Sequence, residues 1–76
     1  MQDIIEAIRE VQEESSLPKA ARMKLDDIIT ILEGPGETRL KASKALNEIE
    51  ELTDSAAVPS FVRTQLWNIA SLLETL

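Results

Sequence analysis

Carboxylates are the most abundant reactive side chains in this sequence: 14 Asp and Glu among 76 residues, against 8 Lys and Arg. They gather in two runs, Asp3, Glu6, Glu10, Glu13 and Glu14 in the first, and Glu48, Glu50, Glu51 and Asp54 in the second. Helical bundles hold carboxylate-bridged metals by pairing inward glutamates with Glu-x-x-His. The chain has no histidine, so that constellation fails, and the usual general base is missing with it. An all-oxygen Ca2+ or Mg2+ site wants a loop rich in Asp and Asn, and Gly34-Pro35-Gly36-Glu37 is not one. That turn is not a phosphate loop either, since no Gly-Lys-Ser/Thr follows it. The serines at 15, 16, 43, 55, 60 and 71 have no histidine to activate them. Ser43 and Lys44 do not make a nucleophile–base pair, because adjacent helical residues point about 100° apart. Cysteine is absent, which removes disulfides and thiolate metal ligands. The expectation is a protein without catalytic, cofactor-binding or metal-binding residues, whose carboxylates form solvated faces. A small metal- or ligand-binding bundle is the weaker alternative.

Cations could instead serve a nucleic acid. They fall in two loose groups, Lys19, Arg22 and Lys24, then Arg39, Lys41 and Lys44. Phosphate recognition wants such residues on one face, with stacking aromatics where single strands are bound. The formal charge of −6 opposes a polyphosphate partner. A nucleic-acid-associated accessory protein acting through Arg22, Arg39, Lys41, Lys44 and Arg63 is therefore a second alternative, with direct nucleic-acid contact not favoured.

The elements that must position these groups follow from apolar spacing. Hydrophobic residues make up 43% of the chain and aromatics 3%, namely Phe61 and Trp67, so the core is aliphatic. Four series recur with helical spacing: Ile4, Ile5, Ile8, Val11; Ala21, Leu25, Ile28, Ile29, Leu32; Ala42, Ala45, Leu46, Ile49, Leu52; and Val62, Leu66, Ile69, Ala70, Leu73, Leu76. No stretch alternates with period two, so no strand is expected. The first helix should end near Ser15-Ser16. Pro18 suits the first turn of the second, where a missing N–H costs nothing. Gly34 reads as the residue just past that helix, and Pro35 prevents its continuation. Glu37 or Thr38 should begin the third helix, and residues 54–57 close it before Pro59. The acidic N-terminal run Met1-Gln2-Asp3-Ile4 carries no basic segment or long apolar stretch, so no signal peptide or membrane span is expected.

Pro18 and Pro59 stand 41 positions apart, and the same offset superposes Ile8 on Ile49, Glu10 on Glu51, Arg22 on Arg63, Leu25 on Leu66, Ile28 on Ile69 and Leu32 on Leu73. Apolar matches come free with any two amphipathic helices; the matched Pro, Glu and Arg do not. The reading is a duplicated helix–Pro–helix unit, hairpin 1 over about 2–33 and hairpin 2 over about 38–76, forming one domain over 1–76. A period near 40 also suggests helical solenoids, but those need about three repeats or more. Two hairpins can instead bury their faces on each other as an all-α, antiparallel four-helix bundle with short connections. The repeated spacing further predicts ion pairs Glu10–Arg22 and Glu51–Arg63 across the two hairpins.

The fourth helix carries too much apolar surface for one bundle face. At 100° per residue Trp67 lies about 140° from Val62, off the stripe, while Phe61 and Leu72 flank its other side. Trp67 also occupies the position that Asp26 fills in the first copy. Either the ring folds over an edge of the core, or it anchors an interface, where tryptophan is enriched among hot spots. Arg63, one turn back, could stack on it. Phe61, Arg63, Trp67 and Leu72 are the candidate interface.

The run from Val58 to Glu74 carries a more specific pattern: Pro59, then Arg63-Thr64, then Leu66 followed by Trp67-Asn68, then Ser71 and Leu73-Glu74. It resembles an uncharacterised archaeal family of small helical proteins, family number 147. The resemblance is specific over about twenty residues and elsewhere rests on helical pattern, length and Pro18. It implies an archaeal cytoplasmic protein with a helical-bundle fold, and supplies no activity and no catalytic residues. Together these readings favour a non-enzymatic interaction module that self-associates through its fourth helix, with an unknown protein partner possible and no membrane contact.

Overall fold

The computed structural model describes residues 1–76 and contains four helices, α1 (Gln2–Gln12), α2 (Lys19–Glu33), α3 (Thr38–Thr53) and α4 (Ser60–Glu74), with no strand. The fold is all-α. Each helix packs against its neighbours in the chain, and α1 closes the ring on α4. The diagonal pairs α1–α3 and α2–α4 nowhere bring their Cα atoms within 8 Å. With a radius of gyration of 11.3 Å, the chain is as tight as a globular body of its length, for which about 11.4 Å is expected.

The apolar series explain the packing. Nineteen residues are buried, and every one is apolar. Ile8, Leu25, Ile28, Ala45, Ile49 and Val62 have no exposed surface at all. They form a single cluster that includes two residues from the turns, Leu17 and Val58. Leu76, expected to extend the last stripe, lies beyond α4 and is partly exposed. Leu46 is half-buried.

The helix ends depart from expectation at two places. α1 stops at Gln12, short of Ser15-Ser16. Past it the chain tightens: the Glu13 and Glu14 amides donate to the carbonyls of Glu10 and Val11, and Leu17 N–H closes onto Glu14 O. This turn puts Leu17 into the core and leaves Pro18 outside α2 as its N-cap, at φ −59° and ψ 148°. The turn before α4 is built alike. Ser55 N–H donates to Leu52 O, Val58 N–H to Ser55 O, and Pro59 caps α4 at φ −59° and ψ 150°. Proline suits that place: it has no N–H to satisfy, and its fixed φ leads into a helix.

Gly34 is the second departure. It follows α2 in extended backbone, φ −77° and ψ 177°, rather than in the left-handed conformation usual after a helix. The left-handed residue is Gly36, at φ 123°. At Gly34 space is tight instead: a Cβ there would meet Thr30 O at 3.1 Å.

Truncating the core tests this account of the packing. Ile49→Ala should cost about 2–5 kcal/mol, a large share of what a chain of this size has to lose. Met23→Ala, at a site 57% exposed, should stay within about 0.5 kcal/mol of wild type. Urea unfolding of both variants checks the contrast.

Candidate interaction surface

The arginines come first, because the structure corrects their expected role. Neither Glu10–Arg22 nor Glu51–Arg63 forms an ion pair; the salt bridges are Arg9–Glu33, Lys24–Glu48 and Lys24–Glu51. Arg22 turns back to the end of α1. Its Nε donates to Gln12 O at 3.1 Å, and its Nη2 to Glu14 O and Leu17 O at 3.2 and 3.3 Å. Arg63 does the same after α3, its Nη2 donating to Ser55 O at 3.1 Å, while its Nε is buried without a partner. Carbonyls at a helix C-terminus lack intrahelical donors and carry partial negative charge. A half-buried guanidinium satisfies them better than an exposed glutamate would satisfy it. Arg63 therefore holds a turn, and its guanidinium is tied to that turn.

Lys24 is the hub of the α2–α3 seam. Its Nζ lies 2.5 Å from Glu48 and 2.7 Å from Glu51. Those hydrogen bonds, Glu48 first and then Glu51, hold its pKa well above the ordinary lysine value. The stabilisation they give is fully present below the unfolded lysine's pKa of about 10.4 and is lost only as pH rises through the folded value. Lys41 reaches Gly34 O at 3.0 Å across the same seam. Of the five cations that a nucleic acid would use, Arg22, Lys41 and Arg63 are thus spent on backbone carbonyls, leaving Arg39 and Lys44. No three Asp or Glu side chains converge in a way that could hold a metal ion.

The apolar surface of α4 is open. Trp67 is 58% exposed, Phe61 50% and Leu72 39%. At about 100° per residue, Phe61 and Leu72 lie about 20° apart around the helix, while Trp67 stands about 120–140° from either. The candidate residues therefore occupy two flanks. Trp67 shares the side of Arg63, towards α3. Asp26, 41 positions before Trp67, accepts a 2.7 Å hydrogen bond from Gln12 across α1–α2. Around Trp67 lies a shallow recess with Thr64, Asn68 and Ser71. Phe61 and Leu72 flank the α1 side, one turn before Gln65 and one turn after Asn68.

Two features escaped the sequence reading. Leu40 is the most exposed large apolar residue, at 61%, and lines a cleft of about 400 Å3 with Leu73 and Leu76. Its phase could have revealed it, since it lies about 160° from the centre of the α3 stripe at 100° per residue. The other is a crevice of about 130 Å3 between α1 and α4, bounded by Glu10, Gln65 and Asn68.

The profile of a protein family described as Uncharacterised protein family (UPF0147) matches residues 1–76. This chain belongs to that family. The similarity carried by the run from Val58 to Glu74 thus extends over the whole sequence. A UPF0147 protein of Methanosarcina mazei is 27% identical over 73 residues, covering 95% of this chain and 78% of the relative. Those of Archaeoglobus fulgidus and Metallosphaera sedula are 26% and 29% identical, over 97% and 91% of this chain and 85% and 79% of their own. No solved structure matches the chain. UPF0147 is an archaeal family whose description assigns no activity, and no helix of this member is long and apolar enough to cross a membrane.

The turn-holding role of arginine is directly testable. Arg22→Met keeps the aliphatic stem but strips a donor from the last carbonyl of α1 and from two turn carbonyls, and should lower stability by about 1–3 kcal/mol. Glu10→Gln, which removes no ion pair, should change it by less than about 0.5 kcal/mol. Equal losses in the two variants, measured by chemical denaturation, would restore the ion-pair reading.

Proposed function

We propose that this chain is a non-enzymatic protein-interaction module that self-associates through α4. One observation carries the reading: three of the chain's seven exposed large hydrophobics, Phe61, Trp67 and Leu72, stand on that one helix. Trp67 is the central contact, since a broad amphipathic ring supplies much contact area at low entropic cost. Phe61 and Leu72 lie at the margin. Arg63 supports the surface by holding the turn below it.

The scaffold in this reading is one domain over 1–76, an antiparallel bundle of two copies of one hairpin, 2–33 and 38–76. Its support is the repetition, at an offset of 41, of the Pro caps, the turn hydrogen bonds and the arginine donation to Glu14 O and Ser55 O. Lys24 meeting Glu48 and Glu51 while Lys41 meets Gly34 fits helices running in opposite directions. A cytoplasmic setting suits a chain without cysteine.

Size limits the affinity. A 15-residue helix is about 22 Å long and 10 Å across, so its outer face offers a few hundred Å2, against about 800 Å2 per partner in a standard interface. Association through α4 alone should therefore be weak, with a Kd on the order of 0.1 mM. Sedimentation equilibrium should show a monomer–dimer equilibrium in that range for wild type and a monomer for Trp67→Ala. Unchanged association in Trp67→Ala, or a strictly monomeric wild type at millimolar concentration, contradicts the proposal.

A further inference from the structure

The two seams that join one hairpin to the other are chemically unequal. On the α2–α3 side, Lys24 sits between Glu48 and Glu51. On the α1–α4 side, the residues at the same offset of 41 are Gln65 for Lys24, Ala7 for Glu48 and Glu10 for Glu51. The place that the ammonium fills in one seam is, in the other, the 130 Å3 crevice. That volume is room for about four waters. Val11 and Ile69 form its apolar floor. Glu10, Gln65 and Asn68 stand at its polar rim, and the side chains of these three make no hydrogen bond or ion pair within the chain.

The rim selects a cation. Glu10 has no ion-pair partner within the chain, and Asp3 and Glu6 lie on the same side of α1 by helical spacing. The two carboxamide oxygens can accept further N–H bonds. The apolar floor suits an alkyl stem, and a compact ammonium on such a stem is what a lysine offers. Phe61 and Leu72 flank the crevice along α4 and are exposed. We infer that the α1–α4 crevice receives a lysine side chain from a basic, amphipathic segment of another protein, whose apolar residues rest on Phe61 and Leu72. The inference rests on the hairpin repeat proposed above but goes beyond self-association, because Trp67 does not line the crevice and stands about 120–140° around α4 from Phe61 and Leu72.

The test is a titration of the isotopically labelled chain, followed by amide NMR shifts. The probe is a synthetic helical peptide of leucine and lysine, with its Nε-acetyl-lysine form as control. The lysine peptide should move amides centred on Ala7, Glu10, Gln65 and Asn68, and the acetylated form should bind about tenfold more weakly or worse. Glu10→Gln should weaken the lysine peptide by a similar factor. Ala7→Glu combined with Gln65→Lys carries the other seam's cluster into this one and should abolish binding, its dispersed spectrum reporting that it folds. Trp67→Ala should bind the peptide normally while losing self-association, so the two proposals fail separately. No localised shifts, equal binding of the acetylated peptide, or full binding by Glu10→Gln or by the folded double variant would overturn the inference.

Discussion

Burial of an uninterrupted aliphatic seam is the constraint on which the rest of this structure depends. No disulfide is available to hold four short helices together, and the ion pairs between them lie at the surface. The chain has neither cysteine nor histidine, and no polar side chain is buried in the core. A chain of 76 residues buries only about 60–65% of its unfolded surface, so each apolar position carries a large share. The wholly enclosed residues come from all four helices: Ile8 from α1, Leu25 and Ile28 from α2, Ile49 from α3, Val62 from α4.

The turns exist to keep that seam closed. Leu17 and Val58 plug its end from the loops, and a proline follows each to aim the next helix. Such a tight turn leaves helix-end carbonyls without donors, and Arg22 and Arg63 answer them from the following helix. Their charge matters less than their reach and their several N–H groups. With the interior closed in this way, chemical individuality is left to the surface, where positions 41 apart differ: Asp26 against Trp67, and Lys24 against Gln65.

Much of this was legible in the sequence, for physical reasons that also mark where legibility ends. The core stripes follow from helical period, and the proline offset points to the repeated turns. The family pattern from Val58 to Glu74 led to a similarity that spans the chain. The arginine contacts were misread because equal spacing from a proline does not distinguish a carboxylate from a carbonyl at the same height. Backbone acceptors carry no sequence signal. Gly34 stands just past α2, where its position puts it; its extended backbone, with Gly36 as the left-handed residue, depends on the course of the following turn and has no signal in residue type. The crevice at Glu10, Gln65 and Asn68 needed the tertiary seam to bring α1 and α4 together, although the loss of Lys24 and Glu48 at the matching positions was its trace in the sequence.

The central functional claim is that the exposed Trp67 ring is a contact surface and is covered when copies meet. Its fluorescence reports this directly, because it is the only tryptophan and indole emission shifts to shorter wavelength as the ring leaves water. Emission recorded from micromolar to millimolar protein should move from the solvated to the buried wavelength, in step with dimer formation. Solvated emission that stays constant across the whole range would contradict the account.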